Sequence, residues 1–126
     1  MSTLNLGGSP ILKPMESGSG TLTATGFTVT YSYYKKDNVV MLTILFKPTT
    51  TIAVGTSTTT SNSLPASLIP KTGVTGMNSA TNSGSGSTYP YLITIDNDGK
   101  ANIFNFAGVT SAWTALKYTF TYLVNG

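Results

Sequence analysis

From Phe27 to Lys47 the chain alternates side-chain character with a period of two, and that pattern constrains the fold more than any other feature. Odd positions carry Phe27, Val29, Tyr31 and Tyr33, while even positions carry Thr28, Thr30, Ser32 and Tyr34. Successive residues of a strand project to opposite faces, so the run reads as a strand with one buried and one wetted face. Lys35-Lys36-Asp37-Asn38 then supplies turn residues, and a β-branched run follows from Val39 to Lys47. Val40, Leu42, Ile44 and Phe46 form one continuous apolar face, whereas Met41, Thr43 and Leu45 make the other face mixed. The two runs predict a hairpin whose second strand lies centrally in its sheet.

The same period returns at Tyr89, Tyr91, Ile93 and Ile95, and again at Leu116, Tyr118, Phe120 and Tyr122. Asp96-Asn97-Asp98-Gly99 is a turn with a glycine available for positive φ, so Ile95 to Phe106 predicts a second hairpin. Pro48 ends the first hairpin because it offers no ladder N–H. Between the hairpins, Thr49 to Asn62 is a Thr/Ser-dominated stretch around Ile52-Ala-Val54, predicted to contain a short strand and an exposed loop. Leu64-Pro65 and Ile69-Pro70 fix φ at two points and predict a corner where the chain crosses from one sheet to the other. Gly73 to Ser87 reads as mainly loop, with Asn78 to Ser87 almost wholly Asn, Ser, Thr and Gly.

No segment carries a capped 3.6-residue period. A chain of 126 residues has room for one domain with a sizeable core. The expected organisation is a Gly/Ser/Pro-rich arm or linker stub over residues 1–20, then an all-β head over 21–126. The head is expected to be a jelly-roll-like antiparallel β-sandwich.

Composition narrows function mainly by exclusion. Only 9% of residues are charged, so Thr, Ser, Asn and Gly must carry solubility. Such a surface suits packing against copies of itself and suits hydroxyl-rich ligands. The net charge of +3 comes from seven scattered lysines with no arginine, which argues against nucleic acid. No His and no Cys are present, which removes the usual nucleophile–base pairs, thiolate metal sites and disulfides. The four acids cannot supply carboxylates facing across a cleft, since Asp96 and Asp98 sit together in a turn. The chain is therefore expected not to be an enzyme, and to use neither cofactor nor metal. Asp96 and Asp98 also bear a calcium reading, but the spacing is not that of an EF-hand and a plain turn accounts for them. The longest apolar run is too short to span a bilayer, and no secretory leader is recognisable, so synthesis in the cytoplasm is expected.

Aromatic and amide side chains are the better functional lead, because sugars stack their C–H faces on aromatic rings while amides hold their hydroxyls. The candidate saccharide-binding residues are Trp113, Tyr89, Tyr91, Tyr34 and Asn82. Trp113 fits either a saccharide pocket or a packed core or interface. Tyr89 and Tyr91 flank Pro90 where a loop meets a strand, and fit either a binding edge or two core positions at period two. Tyr33 and Tyr34 are consecutive and so face opposite ways, which leaves at least one exposed. Asn82 lies in the Asn/Ser loop. Lys35-Lys36 fits a solvated hairpin tip, or a point of attraction for an anionic cell-wall polymer.

Leu64-Pro-Ala-Ser-Leu-Ile-Pro70, the Ile93–Phe104 hairpin around Asp98-Gly99, and Trp113 followed by an alternating aromatic strand are three motifs in sequence. Together they resemble the C-terminal head domains of phage tail fibres and baseplate receptor-binding proteins, over roughly Val39 to Tyr122. The resemblance implies a β-sandwich that assembles as a homotrimer on the virion, at a tail tip or baseplate. It would sit among other tail or baseplate proteins and bind host cell-wall polysaccharide near clefts between protomers. Ser67, Leu68 and Ile69 occupy the corner where such heads often carry an arginine or an aromatic. That departure keeps a second class open: a structural or accessory subunit of a phage baseplate, tail or capsid that binds no sugar.

Overall fold

Among the described residues, eight strands build two four-stranded antiparallel sheets packed face to face around an apolar core. This computed structural model describes residues 15–53, 55–81, 88–105 and 115–125. The first sheet has the order β1-β2-β3-β8, from β1 (Glu16–Ala24), β2 (Phe27–Lys36), β3 (Val39–Pro48) and β8 (Leu116–Leu123). The second has the order β4-β7-β6-β5, from β4 (Ser57–Thr59), β5 (Val74–Thr81), β6 (Thr88–Ile95) and β7 (Ala101–Asn105). The expected all-β sandwich is present. Its chain path is simpler than a jelly roll's interleaved one. The chain runs through β1–β3, crosses to the second sheet for β4–β7, and returns as β8. Strands β4 to β7 form a Greek key, with β4 beside β7 rather than β5.

The alternating segments form the strands that their pattern predicts. Asp37-Asn38 turns β2 into β3, with Asp37 in the left-handed region at φ 54°. Strand β3 lies between β2 and β8, and Val40, Leu42, Ile44 and Phe46 on its inner face are wholly enclosed. In the second hairpin Gly99 adopts φ 84°, and Asp98 Oδ1 accepts the Lys100 N–H at 2.9 Å. Tyr91, Ile93 and Ile95 of β6 and Ala101 and Ile103 of β7 complete the core from the second sheet.

The short strand expected between Thr49 and Asn62 is present at Ser57–Thr59, where it pairs with β7. Three expectations are corrected. Residues 16–20, expected to belong to a flexible arm, are part of strand β1, because its ladder with β2 extends to Glu16↔Lys35. Residues 74–81 are not loop: they form the edge strand β5, held to β6 by main-chain pairing that needs no apolar alternation. The proline corner does not change sheets. It contains a 3₁₀ turn, Ala66–Leu68, on the long connection from β4 to β5 at opposite edges of the second sheet. Leu64, Leu68 and Pro70 are buried there, and Pro70 bridges to Val124 just beyond β8.

Both sides of the sandwich are laced between sheets. On one side the outward N–H and C=O of Thr23 in β1 are taken by Asn62 Oδ1 at 2.7 Å and by the Ser61 N–H at 2.8 Å. On the other, the Tyr91 hydroxyl donates to the Lys117 C=O at 2.7 Å and accepts its N–H at 2.9 Å, satisfying both outward groups of that β8 residue. Strand β5 comes close to β8 there, and the Tyr118 ring lies where a Cβ on Gly76 would stand. Gly76→Ala is expected to displace that half-buried ring and cost about 1–3 kcal/mol, read as a lower urea midpoint. Tyr118→Ala in the Gly76→Ala background should recover part of the loss; strict additivity of the two changes would refute the contact.

Candidate functional site

Strands β2, β3 and β8 place their outward-facing residues in rows across the first sheet. One row runs Tyr34–Met41–Thr121 and the next runs Lys36–Val39–Leu123. Because neighbouring strands lie about 4.8 Å apart, each row is a short shelf of three side chains. Tyr34 is 57% exposed, and Val39, Met41, Leu123 and the nearby Met15 are exposed as well. Between them is a shallow groove of about 130 Å³, lined by Met15, Tyr34, Lys35, Lys36, Val39, Met41 and Thr121. A second, wider depression of about 370 Å³ meets it at Thr121 and is lined by Lys71, Thr72, Gly73, Val74, Tyr122 and Leu123. The combined surface offers an aromatic ring, an apolar floor, threonine hydroxyls and lysines on two sides.

The sequence candidates divide sharply. Tyr34 is the consecutive tyrosine that faces water, while Tyr33 is half-buried and packs against the core. Tyr91 is 2% exposed, and its hydroxyl is engaged by the Lys117 backbone. It is a core residue that links the sheets, so no sugar face reaches its ring in this chain. Burial raises its hydroxyl above the ordinary tyrosine range, an effect opposed by the hydrogen bonds from Lys117 and Asn78. Trp113, Asn82 and the Tyr89 side chain lie outside the described residues. The structure therefore brings together Tyr34 and Lys35-Lys36 from the sequence reading, and joins to them Met41 and Thr121, which that reading did not single out. Only the strand registers reveal their proximity: Met41 faces Tyr34 across the hairpin, and Thr121, distant in the chain, is set beside Met41 by the β3–β8 ladder.

Among the described residues no group of three or more His, Cys, Asp or Glu side chains converges on a point. Asp98 is occupied in its own turn. Asn105 is the other polar side chain to note: it is buried at the end of β7, and its amide finds no partner among the described residues. No helix among them is long and apolar enough to cross a membrane.

Compared with known proteins, the chain matches no family model, and no curated protein matches it in sequence.

Proposed function

We propose that the chain is the receptor-binding head of a phage tail fibre or baseplate, acting as a homotrimer on the virion and binding host cell-wall saccharide. The observation that carries this reading to a particular place is the exposed Tyr34 ring. It stands in a groove whose lining also includes Lys36 and Thr121, both on the same outer face of the sheet. A sugar ring stacked on Tyr34 would meet hydroxyl and ammonium groups within reach of its own oxygens. The scarcity of charge elsewhere favours neutral or weakly acidic glycans over nucleic acid. A shallow site binds weakly alone, and several heads on one particle supply the avidity that adsorption requires.

Tyr34→Ala is expected to weaken binding of a fluorescent form of the protein to host cell walls about tenfold or more. Being exposed, the substitution should leave stability within about 0.5 kcal/mol. Displacement of the wild-type protein by the isolated polysaccharide, and a trimeric mass by light scattering, complete the test. Equal labelling by wild type and variant would remove Tyr34 from the site.

A second reading has its own support. Val39, Met41 and Met15 make the groove more apolar than a sugar site needs, and exposed apolar patches commonly mark protein contacts. On that reading the chain is a structural or accessory subunit of the particle, and a broad panel of cell walls would go unlabelled.

A further inference from the structure

The two outer edges of the first sheet are treated differently. In an antiparallel ladder, alternate residues of an edge strand direct both N–H and C=O outward. On β8 the outward Lys117 groups are both satisfied by the Tyr91 hydroxyl, the outward Leu123 C=O accepts the Lys71 N–H, and strand β5 lies alongside the stretch between them. On β1 the outward residue Thr23 is capped by Ser61 and Asn62, which sets the parity of the strand. Ser17, Ser19 and Thr21 share that parity, and among the described residues nothing pairs with their outward groups. The stretch from Ser17 to Thr21 also lacks the devices that protect an edge. It contains no lysine and no proline, and its register with β2 runs without a bulge. Its side chains are serine, threonine and glycine, so another strand can approach closely.

We propose that this edge pairs with the same edge of a second copy, antiparallel, about a twofold axis at Ser19. The register follows from the caps. The open positions 17, 19 and 21 are symmetric about Ser19, so Ser17 meets the partner's Thr21 and Ser19 meets the partner's Ser19. Each of these pairs exchanges two N–H···O bonds, about six in all. A shift of two residues in either direction leaves only two matched pairs within the strand, and a shift toward Ala24 also runs into the Ser61–Asn62 cap. The contact is isologous and closes on itself, joining two sheets into one continuous sheet. A ladder this short buries less than the roughly 1,000 Å² of a permanent interface, so the pairing is reversible and concentration-dependent. It does not depend on the receptor-binding reading and is separate from any threefold contact.

The chain contains no cysteine, so one introduced thiol reports on the pairing. In the Ser19-centred register the two Ser19 Cα atoms lie about 5.5 Å apart, within the range a disulfide spans. The two Ser17 Cα atoms lie about 14 Å apart along the strands, beyond that range. Under mild oxidation S19C is expected to give a cross-linked dimer on a non-reducing denaturing gel, and S17C to lose that band. A mixture of S17C with T21C should regain it. Ser19→Pro, which removes only the outward N–H at the axis, should abolish the rise of mass with concentration in sedimentation while leaving the urea midpoint nearly unchanged. Cross-linking of S19C no faster than S17C would overturn the proposal, and so would an unaltered sedimentation profile for Ser19→Pro.

Discussion

Phe46→Ala is expected to destabilise the protein by about 3–5 kcal/mol, the largest loss expected of any single truncation considered. Phe46 is fully enclosed on the central strand β3, between Val29 of β2 and Leu116 of β8 in register. Its ring meets Phe27 edge to face, with centroids 5.5 Å apart and planes at 89°. Truncation removes that contact and leaves a void that two rigid sheets cannot close. A domain of this size has about 5–15 kcal/mol in hand, so the variant should unfold at a much lower urea concentration with an unchanged slope. Met41→Ala is the control: it lies on the same strand but on the outer face, and should cost about 0.5 kcal/mol or less. Equal losses from the two would mean that β3 does not divide an inside from an outside, and the two-layer arrangement would fall with it.

That division is the part of the fold most legible in the sequence. The strands that separate apolar from polar residues at period two, β2, β3, β6 and β8, could be read directly, as could the turns at Asp37-Asn38 and Asp96–Gly99. The strands that escaped reading are held differently. The first half of β1 is Glu-Ser-Gly-Ser-Gly, with no apolar residue to mark an inner face; the Tyr31 and Tyr33 rings of β2 lie over Gly20 and Gly18 and take the space of the missing side chains. Strand β5 follows the same logic, with Gly76 beneath Tyr118. In each case the strand's complement is written elsewhere in the chain, so a local window shows only small polar residues. Strand order is hidden for a similar reason, because main-chain ladders carry no side-chain label that tells β4 to lie beside β7.

The site was legible to the same degree. That Tyr33 and Tyr34 face opposite ways follows from the strand period, but which of them meets water depends on where β2 sits against the core. Tyr91 shows the converse. Its position at period two was compatible with burial and with binding, and the hydrogen bonds to Lys117, a residue 26 positions away, decide for burial. Met41 and Thr121 join Tyr34 only through two strand registers. A groove built from strand ends is a property of the pairing, and its residues need share no motif.

Tyr122→Phe is expected to cost about 1–3 kcal/mol at neutral pH, because its hydroxyl donates to the Leu68 C=O at 2.6 Å inside the proline corner. The phenyl ring keeps the packing but leaves that carbonyl without its donor. The variant should also change the response to alkali. Burial holds the Tyr122 hydroxyl well above the ordinary tyrosine range, and it raises Tyr31 and Tyr91 as well, Tyr31 with a smaller push from Tyr33. The folded state therefore keeps protons that the unfolded chain gives up near pH 10. Stability from these groups is complete below about pH 10 and declines as the pH climbs toward the folded-state values, by at most about 1.4 kcal/mol per pH unit for each tyrosine. Removing the Tyr122 hydroxyl removes one such contribution. Urea unfolding at about pH 8 and about pH 11 should then show the gap between wild type and variant narrowing as pH rises. A gap that stays constant would mean that the corner does not exclude water from Tyr122, and that Leu68 is not what fastens the long β4–β5 connection to β8.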